Sequence, residues 1–581
     1  MSTSGRESTR NWPMAVASVL SLALVLVVLP NPLRIPQSNP SAQAEYAPVP
    51  GRESDVNSNF SQANVAESAG IGSGGDGEGG QGTPPPPPPA QYKPRQKNCV
   101  GNPPRQTEDP LSPPCVPFWD GDNKGATWQG VTKNEIKIVY YNDFNVKGDL
   151  TKPYKPSDET GLQGDYYYTN HVRTAKALLR YFTKRYQTYG RTVKMIAVNS
   201  EGGLATPGPQ RVADAYTINA EHQPFAVANL IENAQTFVPP LAEKQVPAFG
   251  WNEDVPRRVY ERNAPYFWSF MPDQETEMEW VASFFCRKLR GQTAKFTDDE
   301  NLKGKLRTFG LMYPKGNTQR GPFLEQMAKL LIREVKRQCG MTFDEVRTFT
   351  ENGKSEAPII MADWKRKNIT TAVCYCVPQI NELTVPAMQN AATSLDYFPE
   401  WYFDHATAMD RGHWQQEYGS DAHKSFGVSN LWRQPAFKES YAYQAYLSEE
   451  PGTMPNLRFN FEMYHVFLNL FSAIQAAGPI LTPESAQRGM YTFWYQNPTN
   501  PYVPTGGYGP SGPSPYTFVH TAMAWWWDPT GTPPGGLDKE GCIRVVRQGV
   551  RFLAGEWPIG DADLRNPADP CTADTRKRVE H

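Results

Sequence analysis

Apolar and polar positions alternate first in the stretch that opens at Gly130. Ile136, Ile138 and Tyr140 alternate with Lys137 and Val139, and Asn142-Asp143 ends the run, as a strand requires. Over 167–189 the period changes. Val172, Ala175, Leu179, Phe182 and Tyr186 form a stripe at three-to-four spacing, with Arg173, Lys176, Arg180 and Lys184 away from it, which predicts an amphipathic helix. VKMIAVNS reads as a second strand and 211–220 as a second helix. PFAVANLI, at 224–231, is an unbroken apolar run suited to a strand buried on both faces of a parallel sheet. Glu232 and Asn233 interrupt it, and Asn233 is placed to cap a helix from Ala234 that carries Phe237 and Leu241 on one face. A further strand over 246–249 ends at Gly250-Trp251. Strand and helix in strict alternation predict a parallel sheet with right-handed crossovers. Ligands sit at the carboxyl edge of such sheets.

The pattern then restarts. A helix over 274–289 carries Met278, Val281, Ala282 and Phe285, LRTFGLMY is a strand, and 322–338 is a helix with Phe323, Met327, Leu331 and Val335. TAVCYCV, a helix over 386–392 and the strand EWYFDHA continue a second α/β run, hence a second lobe. A long helix over 460–477 presents Phe461, His465, Leu468 and Phe471, and TFVHTAMAWWW with IRVVRQGVRF reads as two late antiparallel strands. Alternation along a strand turns one ring of Trp525-Trp526-Trp527 away from its neighbours, so core packing on one side is expected in preference to a stacking platform.

The first 129 residues carry no such pattern. Arg6 and Arg10 precede an uncharged apolar run over 12–29, at about 18 residues just long enough to span a bilayer. The arginines would keep 1–11 cytoplasmic and place the rest outside. Ala42-Gln43-Ala44 resembles a cleavage site but lies far beyond the run, so an uncleaved anchor is favoured over a signal peptide. Residues 30–97, with a glycine tract and six consecutive prolines at 84–89, lack the apolar content of a core and read as a disordered tether.

The 581 residues exceed one compact core, and the charge balance of 58 Lys+Arg against 60 Asp+Glu gives no reason to propose nucleic acid. Eight cysteines on an exported chain favour disulfides. Sequence order suggests Cys99–Cys115, closing a lead-in over 98–129, then Cys542–Cys571, and Cys286–Cys339 between two helix ends. Cys374 and Cys376 share a strand face and would pair only with strain, with free buried thiols the alternative. No Cys/His spacing suggests zinc. His405, His413 and His423, with Asp404 and Asp410, fit no helix face and read as loop residues. No nucleophile, metalloprotease or phosphate-loop motif is present, and no cofactor is called for.

GVTKNEIKIV, LAEKQVPAFG and FEMYHVFLNLFSAIQAAGPILTPESAQRGM together resemble the type I periplasmic binding proteins, the branched-chain amino-acid and amide-binding group, over about residues 130–558. The resemblance implies two doubly wound α/β lobes closing on a ligand, joined by three crossovers near Phe270, Ser429 and Tyr516. Lobe 1 is then 130–269 plus 429–515, lobe 2 is 270–428 plus 516–558, and 559–581 is a tail. It also implies an ABC-type permease or a membrane sensor as partner. One departure stands out. Where amino-acid-binding members have a hydroxyl-rich turn for the ligand carboxylate, this chain has Ile231-Glu232-Asn233-Ala234 and Trp251-Asn252-Glu253-Asp254. An uncharged, polar or cationic ligand fits those residues at least as well as an amino acid.

Candidate ligand residues follow from the strand ends: Asn142, Asp143, Asn233, Gln235, Trp251 and Asn252 in lobe 1, with Tyr313, Gln379 and Asp404 in lobe 2. Each Asn or Asp also suits a turn or a cap. The expectation is an exported, tethered solute-binding protein that is not an enzyme. The alternatives are an extracytoplasmic hydrolase and a surface module that keeps the fold without a ligand.

Overall fold

The computed structural model describes residues 99–573 apart from 101–104, 107–110, 117–118, 160–168, 254, 316–320, 351–352, 377–383, 404–424, 458, 493, 496–502, 505 and 535–540. The expected anchor over 12–29 and tether over 30–97 therefore lie outside the described residues, as do the loop histidines. Among the described residues no helix is long and apolar enough to cross a membrane.

The fold is mixed α/β, built on two sheets. The first takes β1 (Glu135–Asn142), α1 (His171–Arg185), β2 (Thr192–Asn199), α2 (Gly208–His222), β3 (Ala226–Leu230), α3 (Ala234–Glu243), β4 (Ala248–Gly250), α4 (Arg257–Arg262) and β5 (Phe267–Ser269). Its order is β2-β1-β3-β4-β5, all parallel, with the two-residue strand Gly148–Asp149 antiparallel on the outer edge of β2. The apolar run of β3 is buried at every position, as a central parallel strand with helices on both faces must be.

After β5 the chain passes to the second sheet through α5 (Gln274–Phe284) and a π-turn over Phe285–Leu289. β6 (Phe309–Pro314), α6 (Gly321–Cys339), β7 (Glu345–Phe349), α7 (Ala357–Arg366), β8 (Thr371–Cys374), α8 (Thr384–Ser394), β9 (Glu400–Phe403) and β10 (Ser425–Ser429) follow. The chain then returns to the first sheet, where α9 (Tyr441–Leu447) packs on α1 and α10 (Asn460–Ala477) packs on α1, β3 and β4, with α11 (Pro483–Met490) beside α10. It crosses once more into β11 (Met523–Asp528) and β12 (Cys542–Val545). The second sheet runs β7-β6-β8-β9-β10-β11-β12.

The two late strands expected antiparallel are so: β11 and β12 pair antiparallel with each other, and β11 with β10, so the second sheet is mixed where the resemblance implied parallel sheets. Two further readings are corrected. Trp525, Trp526 and Trp527 are all buried. β11 lies inside the sheet, so Trp525 and Trp527 enter the core under α7 and α8 while Trp526 enters the opposite one. Asn233 holds the N-cap position of α3 but in the left-handed region, with φ 57 and ψ 41, and its side chain makes no capping bond.

Cys286 is joined to Cys339 and Cys542 to Cys571, with Cα atoms 5.9 and 5.8 Å apart. Cys374 pairs with Cys376, which resolves the open alternative toward a bridge. Cys115 is disulfide-bonded, and the side chain of Cys99 lies outside the described residues.

Candidate functional site

Parallel sheets expose the turns at their strand ends, and the candidate residues were drawn from those turns. Asn142 ends β1 and spends its whole amide locally. Its Nδ2 donates to the carbonyls of Val146 (2.9 Å) and Val198 (3.1 Å), and its Oδ1 accepts from the backbone N–H groups of Phe144 and Val146 (both 3.0 Å). Asp143 is likewise committed. Arg211 of α2 grips it with two bonds of 2.7 Å, the Ser200 hydroxyl donates to it, and so does the Glu232 backbone N–H at 3.0 Å. Burial pushes its carboxyl upward against the pull of Arg211, Ser200 and Glu232. The carboxylate binds three segments around the first sheet together and has little left for a solute.

Asn233 and Gln235 sit at the surface, Gln235 Nε2 donating to Asn233 Oδ1 at 3.3 Å. Trp251 is only 9% exposed. It stacks on Phe270 with centroids 5.4 Å apart and planes within 10°, and it also meets Phe461, His465 and Trp432. Asn252 is buried with neither amide atom hydrogen-bonded, and the same holds for Asn229 of β3. The two carboxamides crowd over Gly250. A Cβ there would lie 2.4 Å from Asn229 Oδ1 and from Asn252 Nδ2, so any larger residue would have to push both carboxamides aside. Tyr313 is a nearly buried residue of β6, while Gln379 and Asp404 lie outside the described residues.

The described candidates thus do not converge on one cavity. They divide into a turn clamp, a surface pair and an aromatic interior. Around Trp251 the aromatic cluster borders a cavity of about 20 Å³, walled by Trp432, Phe461 and His465, with room for a water or two. Burial pulls the His465 ring down to about 4, and its Nδ1 lies 2.8 Å from the Phe461 carbonyl, so the ring is neutral at pH 7.

The larger space lies elsewhere. An open crevice of about 670 Å³ separates α4 and the start of α5, which follow strands of the first sheet, from α6, which belongs to the second. The α4 helix follows the carboxyl end of β4 and α6 follows that of β6, so the crevice lies where both sheets present their turns. Glu325, Gln326, Lys329 and Arg333 line it from one face of α6, at three-to-four spacing, with Leu330 among them. Glu325 pairs with Lys329 at 2.6 Å, and Arg333 pairs with Glu334 outside the crevice at 3.2 Å. Across from them, Glu275 accepts the Arg257 N–H at 2.7 Å, and Arg258 makes no ion pair among the described residues. The crevice is therefore polar and carries both signs of charge, and among the described residues Arg258 of α4 is its one cation without an ion pair.

Sequence reasoning passed over these residues because it took strand ends and not helix faces. A signal existed. Opposite the apolar stripe Phe323, Met327, Leu331 and Val335, the face of α6 runs Glu325, Gln326, Lys329 and Arg333.

No family model and no curated protein matches the chain. Many of its structural neighbours are substrate-binding proteins of ABC transporters. They include a solute-binding protein from R. palustris in complex with 4-hydroxybenzoate, at 12% identity and TM-score 0.49, which covers 74% of this chain and 100% of that one. A branched-chain amino acid ABC transporter periplasmic ligand-binding protein from Burkholderia xenovorans LB400 has 12% identity and TM-score 0.49 over 72% of this chain and 96% of that one. A periplasmic binding protein from Burkholderia mallei has 11% identity and TM-score 0.46 over 72% and 95%.

Proposed function

We propose that this chain is an exported solute-binding protein, tethered through residues 12–29, that takes a polar small molecule into the crevice between α4 and α6. It would hand that solute to an ABC-type importer or a membrane sensor. The observation that carries the reading is the crevice itself: about 670 Å³, within the size range of small-molecule sites, bordered by both lobes at the carboxyl ends of their strands. Its charged lining favours a ligand with polar or charged groups over an apolar one. Arginines before the apolar run support export. Native mass spectrometry of the full chain, followed by thermal shift with whatever co-purifies, tests the reading. A bound molecule should raise the melting temperature with its concentration. Absence of any co-purifying molecule, together with no shift from a panel of amino acids, amides, sugars and organic acids, would sink it.

A second reading, a surface module that keeps the fold without a ligand, is favoured by one observation. Asp143 and Trp251, at the turns where a lobe-1 ligand contact was expected, are taken up by the protein's own groups. The same experiment separates the two.

A further inference from the structure

Arg551 follows β12 and is buried, yet among the described residues no carboxylate pairs with it. Its donors go elsewhere. Nε donates to Thr521 Oγ1 at 3.0 Å, one terminal nitrogen donates to the Leu431 carbonyl at 2.6 Å, and the other donates to the Asn430 carbonyl at 2.7 Å and to the Thr521 carbonyl. Asn430 and Leu431 begin the segment that carries the chain from the second sheet back to the first, and Thr521 ends the segment that brings it over again. Burial without a counter-charge pulls the guanidinium down to about 9, and the cation is held by three backbone carbonyls and the Thr521 hydroxyl.

The neighbouring ladder shows what this arrangement replaces. β10 and β11 pair antiparallel as far as Ser429 with Met523. Beyond that point, among the described residues, no backbone bond joins the two crossing segments. The guanidinium occupies the gap and donates to both sides. It is anchored on one of them, because Phe552 and Ala522 exchange backbone bonds of 2.8 and 3.0 Å. That segment is in turn tied to the first crossing, since Phe518 N–H donates to Ser269 O at 3.0 Å and Val519 N–H to Phe270 O at 3.1 Å. The segment at 430–432 has no such backbone tie. We propose that Arg551 is the positioning residue of the interlobe connection, fastening the crossing at 430–431 to the crossing at 521 so that the three connections move as one strap. The inference goes beyond the binding reading and does not depend on which solute, if any, is bound.

Hydrogen–deuterium exchange of the unliganded full chain tests it. In Arg551→Met, peptides covering 430–434 should exchange about tenfold faster or more, while those covering 516–519 and β1 keep the parent rate. Arg551→Lys retains the cation but offers a point donor in place of a planar fork, so its effect should fall between. Thr521→Val removes one acceptor without touching the arginine, and should raise exchange in the same peptides by a smaller factor. The proposal is overturned if 430–434 keeps the parent rate in Arg551→Met, or if it speeds only in step with β1. Should Arg551→Met fail to fold, Arg551→Lys and Thr521→Val carry the same comparison.

Discussion

Asp143 and Arg211 face each other in a two-pronged ion pair with both bonds at 2.7 Å and both side chains fully buried. A residue that looked in sequence like a solute ligand is thus the anchor of a structural clamp. Removing one partner strands the other as a buried charge, which costs more than the pair contributes. Arg211→Met should therefore lower unfolding free energy by roughly 3–5 kcal/mol in urea titration, and the joint Asp143→Asn/Arg211→Met variant should recover part of that. Equal stability of Arg211→Met and the parent would show that the clamp is ornamental.

Trp251 carries a similar reversal. Its indole is stacked on Phe270 and its Nε1 donates to Glu253 at 2.9 Å, so truncation opens a hole in a packed aromatic cluster. Trp251→Ala should cost roughly 3–5 kcal/mol, visible as a lowered melting temperature without any ligand. Gln235→Ala, at the surface, should stay within about 0.5 kcal/mol of the parent.

The alternation of strand and helix was legible because burial imposes it. β1, β3, α1, α6 and α10 were readable from their apolar periods. β7 and α7 were missed. β7 is an edge strand with Glu345 and Arg347 facing charged neighbours, so its apolar content is low, and Ile359 on α7 is left exposed. β10 was missed for a different cause. Phe426 and Val428 are its only large apolar residues, and between them the position must be glycine, because a Cβ on Gly427 would come within 1.7 Å of the Phe403 carbonyl oxygen. The candidate site was less legible than the fold. An Asn or Asp at a strand end looks the same in sequence whether it meets a solute or, as with Asn142, its own turn.

Three buried histidines set a pH dependence. Burial holds His171 down to about 3 and His465 and His520 to about 4, against about 6.5 in an unfolded chain. Below about 6.5 the unfolded chain takes up protons that the folded one refuses, so stability is fully present above that value and is lost as pH falls toward 4. Each ring contributes a slope of up to about 1.4 kcal/mol per pH unit in that window. Melting temperature should fall steadily from pH 7 to pH 4, and His465→Phe should flatten the curve. A flat profile in the parent would contradict neutral burial.

The bridge between Cys286 and Cys339 spans 53 positions and ties the π-turn after α5 to the end of α6. Closing a loop of that size in the unfolded chain stabilises the fold by about 4 kcal/mol on the chain-entropy account. The paired Cys286→Ser/Cys339→Ser variant should lose a comparable amount in denaturant unfolding. A loss well under 1 kcal/mol would place the stability of that helix pair in packing alone.

The crevice makes the last prediction. Gln326 is half-buried on the α6 face that lines it, beside Leu330. Gln326→Trp should project an indole into the open space and displace a solute while leaving the helix intact. Binding of the co-purified molecule, followed by calorimetry, should weaken at least about tenfold, or roughly 1.4 kcal/mol. The unliganded melting temperature should stay near the parent value, because substitutions on such a face change stability by about 0.5 kcal/mol at most. Lys336→Trp, on an exposed part of the same helix outside the crevice, is the control and should bind as the parent does. Arg258→Ala separates charge from space. If the solute carries an anionic group, loss of this cation weakens binding without filling the crevice, whereas a cationic solute gains affinity. Unchanged binding in Gln326→Trp would move the site away from α6, and the aromatic cavity beside Trp432 and His465 would be the next place to look.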